Sequence, residues 1–376
     1  MNVNFCMPTK IIMEENCILK NTALLNEMGE KALIVTGAFS GKQSGALQDI
    51  LDALTMTGKQ YVLFDKVMNN PTVACVYEGA EIAKSKNVDF VIGIGGGSPM
   101  DAAKAIALLA TQEIPREELF QGKFQKEALP MIMIPTTAGT GSEVTPYAIL
   151  TNDRMQTKTS IATPYIFPKY ALLDAKYMAK LPMGITINTA LDALSHAVEG
   201  MLSARATTMS DFIAMEGIRK ITGVLKHLSS EQSKEANGHI AREDREKLLY
   251  GSMLAGVVIT HTGTTAVHSM GYSLTYFKDI PHGRANALLL PSYMRYIAKY
   301  DPDCIARILS ATDYKSLDEF ETQMLLLLGT PDQITQEEIE KYSSIAIQAK
   351  NIQNSRVIPD KEALISIYMR SLQIIS

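Results

Sequence analysis

The sequence predicts two domains, an α/β domain over residues 1–182 and an all-helical domain over residues 183–376. In the first, short apolar runs alternate with helical patterns, which is typical of a parallel sheet covered by helices on both faces. Beyond about Pro182 the strand patterns stop, whereas helical spacing continues to the end. A chain of 376 residues is long enough to bury two such cores.

Each predicted element follows from apolar spacing. The predicted strands are uninterrupted apolar runs at residues 31–36, 61–64, 89–94 and 131–134, with helices at 43–57 and 72–84 between them. The second domain is predicted to contain helices at residues 184–202, 207–228, 241–260, 285–299, 315–328, 335–350 and 361–372. The polar stretch 229–246 is expected to be a solvated loop and the start of a helix.

Composition excludes several classes of function. The net charge of −4 favours neither nucleic acid nor an anionic membrane as a partner. No apolar run approaches the ~18 residues of a membrane span, and no signal peptide is evident. The cysteines, Cys6, Cys17, Cys75 and Cys304, are scattered and are expected to be reduced thiols. A cytoplasmic protein that acts on a small molecule fits these features.

A glycine-rich loop follows the predicted third strand. The segment 95–101 contains Gly95, Gly96, Gly97, Ser98 and Asp101. Ser98 is predicted to cap the next helix, with Pro99 in its first position and Asp101 beside the positive end of its dipole. Such a loop at a helix N-terminus can bind a pyrophosphate, although a plain strand-to-helix turn would also explain it.

A second polar loop follows the fourth strand. Its hydroxyl groups belong to Thr136, Thr137, Thr140 and Ser142. They can donate to phosphate, ribose or a carboxamide, or they can bond their own backbone. Because both loops lie at carboxyl ends of strands in one α/β domain, together they favour a nucleotide site.

Four residues of the second domain suggest a metal centre. Asp192 and His196 are four apart, which places a carboxylate and an imidazole on one face of a helix. His268 and His282 follow later in the chain. One carboxylate and up to three imidazoles suit a first-row divalent metal with an open position for substrate. His227 and His239, in polar surroundings, are expected at the surface.

These motifs resemble those of the iron-containing (group III) alcohol dehydrogenase family. The landmarks, in order, are Asn70-Pro71-Thr72, the loop 95–101, the loop 135–143, the segment 192–199 and Pro281-His282-Gly283-x-Ala285-Asn286-Ala287. The resemblance implies the fold shared with dehydroquinate synthase, an NAD(P)-dependent alcohol dehydrogenase activity and a dimer or an assembly of dimers. It also implies Fe(II), or another divalent ion such as Zn(II), bound by Asp192, His196, His268 and His282.

The chemistry of these residues agrees with the resemblance. A divalent ion held by one carboxylate and neutral imidazoles is expected to stabilise an alkoxide or to polarise a carbonyl while hydride passes to or from nicotinamide. The sequence leaves the substrate open among butanol-, 1,3-propanediol- and 4-hydroxybutyrate-type alcohols. A dehydroquinate synthase-like lyase and a non-catalytic nucleotide-binding protein are the alternatives, but no basic cluster for a phosphorylated sugar acid accompanies the metal motifs.

Two positions depart from the family pattern. Tyr272 stands where many members carry a histidine assigned to proton transfer, so it is either a proton relay or only a pocket wall.

Gly37 stands where NAD-specific members often carry an aspartate. With Ser40 and Lys42 available for a 2′-phosphate, NADP(H) is predicted over NAD(H). In the competing interpretation Asp65 binds the ribose and NAD is the cofactor. Lys158 matches a family lysine near the nicotinamide ribose.

Overall fold

A computed structural model describes residues 4–229 and 240–375. Within them the chain forms two compact units. One contains residues 6–137 and 141–181, and the other contains the described parts of 1–5, 138–140 and 182–376. The short segment 138–140 therefore packs with the helical unit, although it belongs to the loop that follows a strand of the sheet.

The first unit is built on a six-stranded parallel sheet. Its strands are β1 (Lys10–Met13), β2 (Lys31–Gly37), β3 (Gln60–Val67), β4 (Phe90–Gly95), β5 (Met131–Pro135) and β8 (Tyr170–Leu173). They lie side by side in the order β1-β8-β5-β4-β2-β3. An antiparallel pair, β6 (Tyr147–Asn152) and β7 (Thr157–Ala162), precedes β8. Its helices are α1 (Cys17–Lys20), α2 (Ser40–Ser44), α3 (Ala46–Met56), α4 (Val73–Ser85) and α5 (Gly97–Thr111).

Both faces of this sheet are buried. In β2, Leu33 and Val35 belong to one hydrophobic core, whereas Ala32 and Ile34 belong to the other. Successive side chains of a strand point to opposite faces, so a strand buried on both faces needs an unbroken apolar run. This is why the interior strands could be recognised in the sequence.

The second unit is mainly helical. Its helices are α6 (Met183–Met201), α7 (Thr208–Ser229), α8 (Arg242–Thr262), α9 (Ala266–Lys278), α10 (His282–Ala298), α11 (Pro302–Thr312), α12 (Leu317–Leu328), α13 (Gln336–Ala346) and α14 (Lys361–Ser371). Helix α6 packs against α7, α8 and α10, and α9 packs against α10. A small parallel pair, β9 (Gln333–Thr335) and β10 (Gln373–Ile375), completes it.

The predicted fold class is confirmed, with differences in detail. The prediction missed the strands β1, β6, β7 and β8, and it missed the helices α9 and α11. The unit is not entirely helical, since β9 and β10 pair. Of the predicted polar stretch 229–246, residues 230–239 lie outside the described residues, and α8 begins at Arg242.

Candidate functional site

The three residues Asp192, His196 and His268 are brought together in the helical unit. All three are buried, and one ligand atom from each lies within 4.8 Å of the others. His282 is close to the same group, because its Nε2 lies 3.8 Å from Asp192 Oδ1. The Nε2 atom of His268 lies 3.6 Å from that oxygen. Asp192 Oδ1 is therefore the common neighbour of two imidazoles.

Helix geometry explains how these side chains meet. Asp192 and His196 lie one turn apart on α6, while His268 lies in the first turn of α9 and His282 begins α10. Gly283 lets α10 approach α6 closely, because a Cβ there would lie 1.8 Å from the Asn188 carbonyl oxygen. A side chain at position 283 would therefore push His282 away from Asp192.

Charge sets the protonation of this cluster. Burial alone would raise the pKa of Asp192, but the neighbouring imidazoles hold it well below its usual range. Burial lowers the pKa of His196 and keeps that ring neutral. Burial also opposes a charge on His268, yet the Glu199 and Asp192 carboxylates outweigh it and raise the pKa of His268 to about 9. A metal would have to displace that proton, since only a neutral imidazole is a ligand.

Glu199 holds His268 in place, a role that the sequence analysis did not assign. Its Oε2 accepts a hydrogen bond from His268 Nδ1. Its Oε1 accepts from Thr265 N at 2.8 Å and from Thr265 Oγ1 at 2.7 Å. The bond at Nδ1 leaves Nε2 directed at Asp192, which is the carboxylate–histidine arrangement that orients metal ligands. Glu199 follows Asp192 by seven residues, two helical turns, and that spacing was the available signal.

Asn286 was also missed. Its Nδ2 lies 3.1 Å from Asp192 Oδ1, 3.1 Å from His268 Nε2 and 3.2 Å from His282 Nε2. Asn286 follows His282 by four residues on α10, so both side chains lie on one face of that helix. The amide therefore touches three of the four predicted ligands.

The donor set and its spacing fit a first-row divalent ion. The separations of 3.6 and 3.8 Å from Asp192 Oδ1 are near the ~3.4 Å edge of a tetrahedron with bonds of about 2.1 Å. In addition, one carboxylate and three imidazoles form a donor set that first-row divalent ions take.

Tyr272 lies beside the cluster. Its ring stacks on His282 with centroids 5.5 Å apart and meets His268 edge-on at 6.3 Å. The ring is partly exposed, unlike the three buried ligand candidates. A phenol in this position can serve as a wall or exchange a proton with neighbouring groups, so both roles stay predictions.

The glycine-rich loop lies where it was predicted, but its helix begins earlier. Gly95 ends β4, Gly96 is the N-cap, and α5 starts at Gly97. The prediction that Ser98 caps the helix is wrong, because the glycines allow the helix to begin before it. The Ser98 hydroxyl instead accepts a hydrogen bond from Asn70 N at 3.3 Å.

Asp101 and Ser142 form part of a buried polar network. Ser142 Oγ donates to Asp101 Oδ1 at 2.6 Å, and Asp101 Oδ2 accepts from Ile149 N at 3.0 Å. The fully buried Lys104 donates to Ser142 Oγ at 2.8 Å and to the Tyr147 carbonyl at 2.8 Å. These contacts tie the second polar loop to α5. The prediction that Asp101 lies beside the positive end of the helix dipole is wrong, because α5 begins at Gly97 and Asp101 is its fifth residue, beyond the first turn.

The remaining predicted cofactor residues are placed as follows. Thr136 donates its backbone N–H to the Gly95 carbonyl at 2.8 Å, and Thr137 lies beside Gly96. Gly37 ends β2, Ser40 begins α2, Thr140 lies in the segment that packs with the helical unit, and Lys158 lies on β7. Lys42 Nζ forms an ion pair with Asp65 Oδ2 at 3.1 Å, which the sequence analysis did not foresee.

The other histidines take no part in the cluster as far as the structure describes them. His227 is largely exposed, and its Nδ1 lies 3.0 Å from Asp244 Oδ2. His239 lies outside the described residues. Among the described helices, none is long and apolar enough to pass through a membrane.

Comparisons with known proteins cover both units. The family model "Iron-containing alcohol dehydrogenase" matches residues 8–175, and the model of that family's C-terminal part matches residues 186–372. The lactaldehyde reductase of Escherichia coli K12 is 33% identical over 77% of this chain and 75% of its own length. The 1,3-propanediol dehydrogenase of Klebsiella pneumoniae is 32% identical over 89% and 86%. A crystal structure of a Thermotoga maritima iron-containing alcohol dehydrogenase is 37% identical, with a TM-score of 0.89 over 98% and 99% of the two chains.

Proposed function

Because the chain belongs to the iron-containing alcohol dehydrogenase family and is an oxidoreductase, we propose that it interconverts a small alcohol and its aldehyde or ketone with a nicotinamide dinucleotide. The observation that carries this proposal is the buried cluster of Asp192, His196 and His268 with His282 beside it. The family match favours this activity over the lyase and the non-catalytic alternatives.

Asp192, His196, His268 and His282 would hold Fe(II) or another divalent ion. When bound, such an ion supplies Lewis acidity toward the oxygen of the substrate. The chain's own residues hold the ligand atoms in place: Glu199 fixes the ring of His268, and Asn286 contacts Asp192. The Tyr272 phenol is proposed to exchange a proton with the substrate oxygen or with water, because it stacks directly on His282.

The two polar loops are proposed to bind the cofactor. Gly96 and Gly97 open α5, whose N-terminus can accept a pyrophosphate, and the hydroxyls of Thr136, Thr137 and Thr140 are further donors. Asp101 and Ser142 support these loops through their mutual hydrogen bond. Lys158 is proposed to act near the nicotinamide ribose.

The preference between NADP(H) and NAD(H) depends on the Lys42–Asp65 ion pair. Gly37 brings no carboxylate that would repel a 2′-phosphate, and Ser40 and Lys42 could bind it, so NADP(H) remains the predicted cofactor. Asp65, however, both neutralises Lys42 and could accept hydrogen bonds from an unmodified ribose. Gly37→Asp should shift the ratio of kcat/KM values toward NADH. No shift there, together with a shift in Asp65→Ala, would assign the ribose to Asp65 and the preference to NAD(H).

The test is anaerobic aldehyde reduction followed by the loss of absorbance of NADPH, with NADH in parallel. The enzyme is treated with chelator, reloaded with Fe(II) or Zn(II), and offered butyraldehyde, 3-hydroxypropionaldehyde, lactaldehyde and succinate semialdehyde. His196→Ala should lower turnover by at least about 100-fold, whereas the matched control His227→Ala should not. Metal-independent reduction, or equal activity in both variants, would contradict the proposed metal site.

The cytoplasmic location and the homodimer also remain proposals. Analytical ultracentrifugation of the purified protein measures the oligomeric state directly, and a sedimenting species with the mass of one chain would contradict the dimer.

A further inference from the structure

The Asn286 side chain is buried within the ligand cluster and is not itself one of the predicted ligands. Its Nδ2 carries two hydrogens, yet it lies within hydrogen-bond distance of Asp192 Oδ1, His268 Nε2 and His282 Nε2. The opposite orientation of the amide would bring Asn286 Oδ1 against the carboxylate oxygen Asp192 Oδ1, which would be repulsive. The amide therefore points its donors at the ligand group.

These three contacts differ in whether they can persist when a metal is bound. An imidazole Nε2 has one lone pair, so it cannot accept from Asn286 and bind a metal at the same time. A carboxylate oxygen has more than one lone pair and can do both. The bond to Asp192 Oδ1, at 3.1 Å, is therefore the one that can persist with a metal bound.

The other end of the amide is accommodated by a glycine. Asn286 Oδ1 is buried without a hydrogen-bond partner among the described residues. A Cβ at Gly271 of α9 would lie 2.1 Å from that oxygen. Glycine inside a helix costs about 1 kcal/mol relative to alanine, so its presence here needs a reason, and close approach of Asn286 supplies one.

We propose that Asn286 is a positioning residue that selects Oδ1 of Asp192 as the metal-binding oxygen and directs it toward the imidazoles, with Gly271 making room for the amide. This inference rests on the proposed metal site and deepens it. Outer hydrogen bonds to metal ligands typically contribute about 10- to 100-fold to metal affinity. Loss of the donor is therefore expected to weaken metal binding without removing any ligand.

The experiment measures Zn²⁺ affinity of the purified full chain by competition with a chelator, and the thermal midpoint with and without Zn²⁺. Asn286→Ala and Asn286→Leu both remove the donor, but leucine keeps the branched shape of the side chain. Gly271→Ala displaces the amide without deleting it. Ser292→Ala is the control, because it removes a buried hydroxyl from the same helix, where Ser292 Oγ accepts from Ser371 Oγ at 2.9 Å.

Each Asn286 variant and Gly271→Ala should raise the Zn²⁺ dissociation constant by about 10- to 100-fold and reduce the Zn²⁺-induced rise in thermal midpoint. Ser292→Ala should lower both midpoints equally and leave the dissociation constant unchanged. If Asn286→Leu binds Zn²⁺ as tightly as the original chain, Asn286 contributes only shape and the inference is wrong. If Asn286→Ala fails to fold, the Zn²⁺ dissociation constants of Asn286→Leu and Gly271→Ala test the inference. An original chain that Zn²⁺ does not stabilise would instead refute the metal site itself.

Discussion

Replacing Glu199 with glutamine would test whether the Glu199 carboxylate sets the tautomer in which His268 can bind a metal. The carboxylate accepts through both oxygens, from His268 Nδ1 on one side and from Thr265 N and Oγ1 on the other. In Glu199→Gln the amide oxygen can keep the bonds to Thr265, so its NH₂ group faces His268 Nδ1. Two hydrogen-bond donors, the NH₂ group of the glutamine and the N–H at His268 Nδ1, then face each other. The ring relieves this by losing its Nδ1 proton and keeping the proton on Nε2, the nitrogen that faces Asp192 and would bind the metal.

The expected loss of Zn²⁺ affinity follows from the strength of the hydrogen bond that is lost. A hydrogen bond to a charged group contributes about 1.5–3 kcal/mol, and about 1.4 kcal/mol corresponds to a tenfold change in an equilibrium constant. We therefore expect Zn²⁺ affinity to fall by about 10- to 100-fold, which is also the usual range for such partners of metal ligands. Turnover at limiting metal should fall with it and should recover at saturating metal.

Competition with a chelator gives the affinity, and circular dichroism confirms that the variant is folded. Glu216→Gln is a matched control, because Glu216 forms only partly exposed ion pairs, with Arg219 and Lys220 on α7. It should leave Zn²⁺ affinity unchanged. A folded Glu199→Gln protein with the original Zn²⁺ affinity would show that the carboxylate does not set the tautomer of His268.

Three further predictions concern other groups. Tyr272→Phe should lower turnover by at least about tenfold while leaving Zn²⁺ affinity unchanged, and turnover near that of the original enzyme would exclude the proton relay. Burial raises the pKa of Glu143 from 4.5 to about 7, so between these pH values the folded chain keeps a proton that the unfolded chain has lost. Stability should therefore fall by about 3 kcal/mol from pH 4.5 to 7, and in urea titrations Glu143→Gln should lack this decline. Lys104→Met should lower the free energy of unfolding by about 3–5 kcal/mol, because it leaves Asp101 buried without its cation, and a loss below about 1 kcal/mol in urea would show that the network is dispensable.

The sequence could predict the interior strands of the α/β unit because each of them can be recognised from its own consecutive residues. Strands buried on both faces require unbroken apolar runs, and β2, β4 and β5 are of this kind. The strand β1 has no fully buried residue and carries no such run, whereas β8 is a buried apolar run of four residues that the prediction overlooked. Their pairing depends on residues that are far apart in the chain, such as Lys10 and Tyr170.

The same contrast holds for the candidate site. Asp192 and His196 could be paired from their spacing on one helix, since a helical turn alone brings them to the same face. No spacing relates Glu199 to His268 or Asn286 to Asp192, because these residues lie on different helices. The hydroxyl of Ser98, which lies inside α5 and does not cap it, likewise accepts a hydrogen bond from a residue distant in the chain, Asn70.

By itself the sequence determined the alternation of strands and helices, the two polar loops, the types of the four ligand residues and the family to which the chain belongs. Each depends on residue type and short spacing, which a sequence displays directly. Only the tertiary structure decided which atoms of those ligands converge, that Glu199 and Asn286 hold them, that Gly271 makes room for an amide, and that Lys42 pairs with Asp65. These contacts arise when separate elements pack, and packing is governed by the shape of both partners rather than by either segment alone.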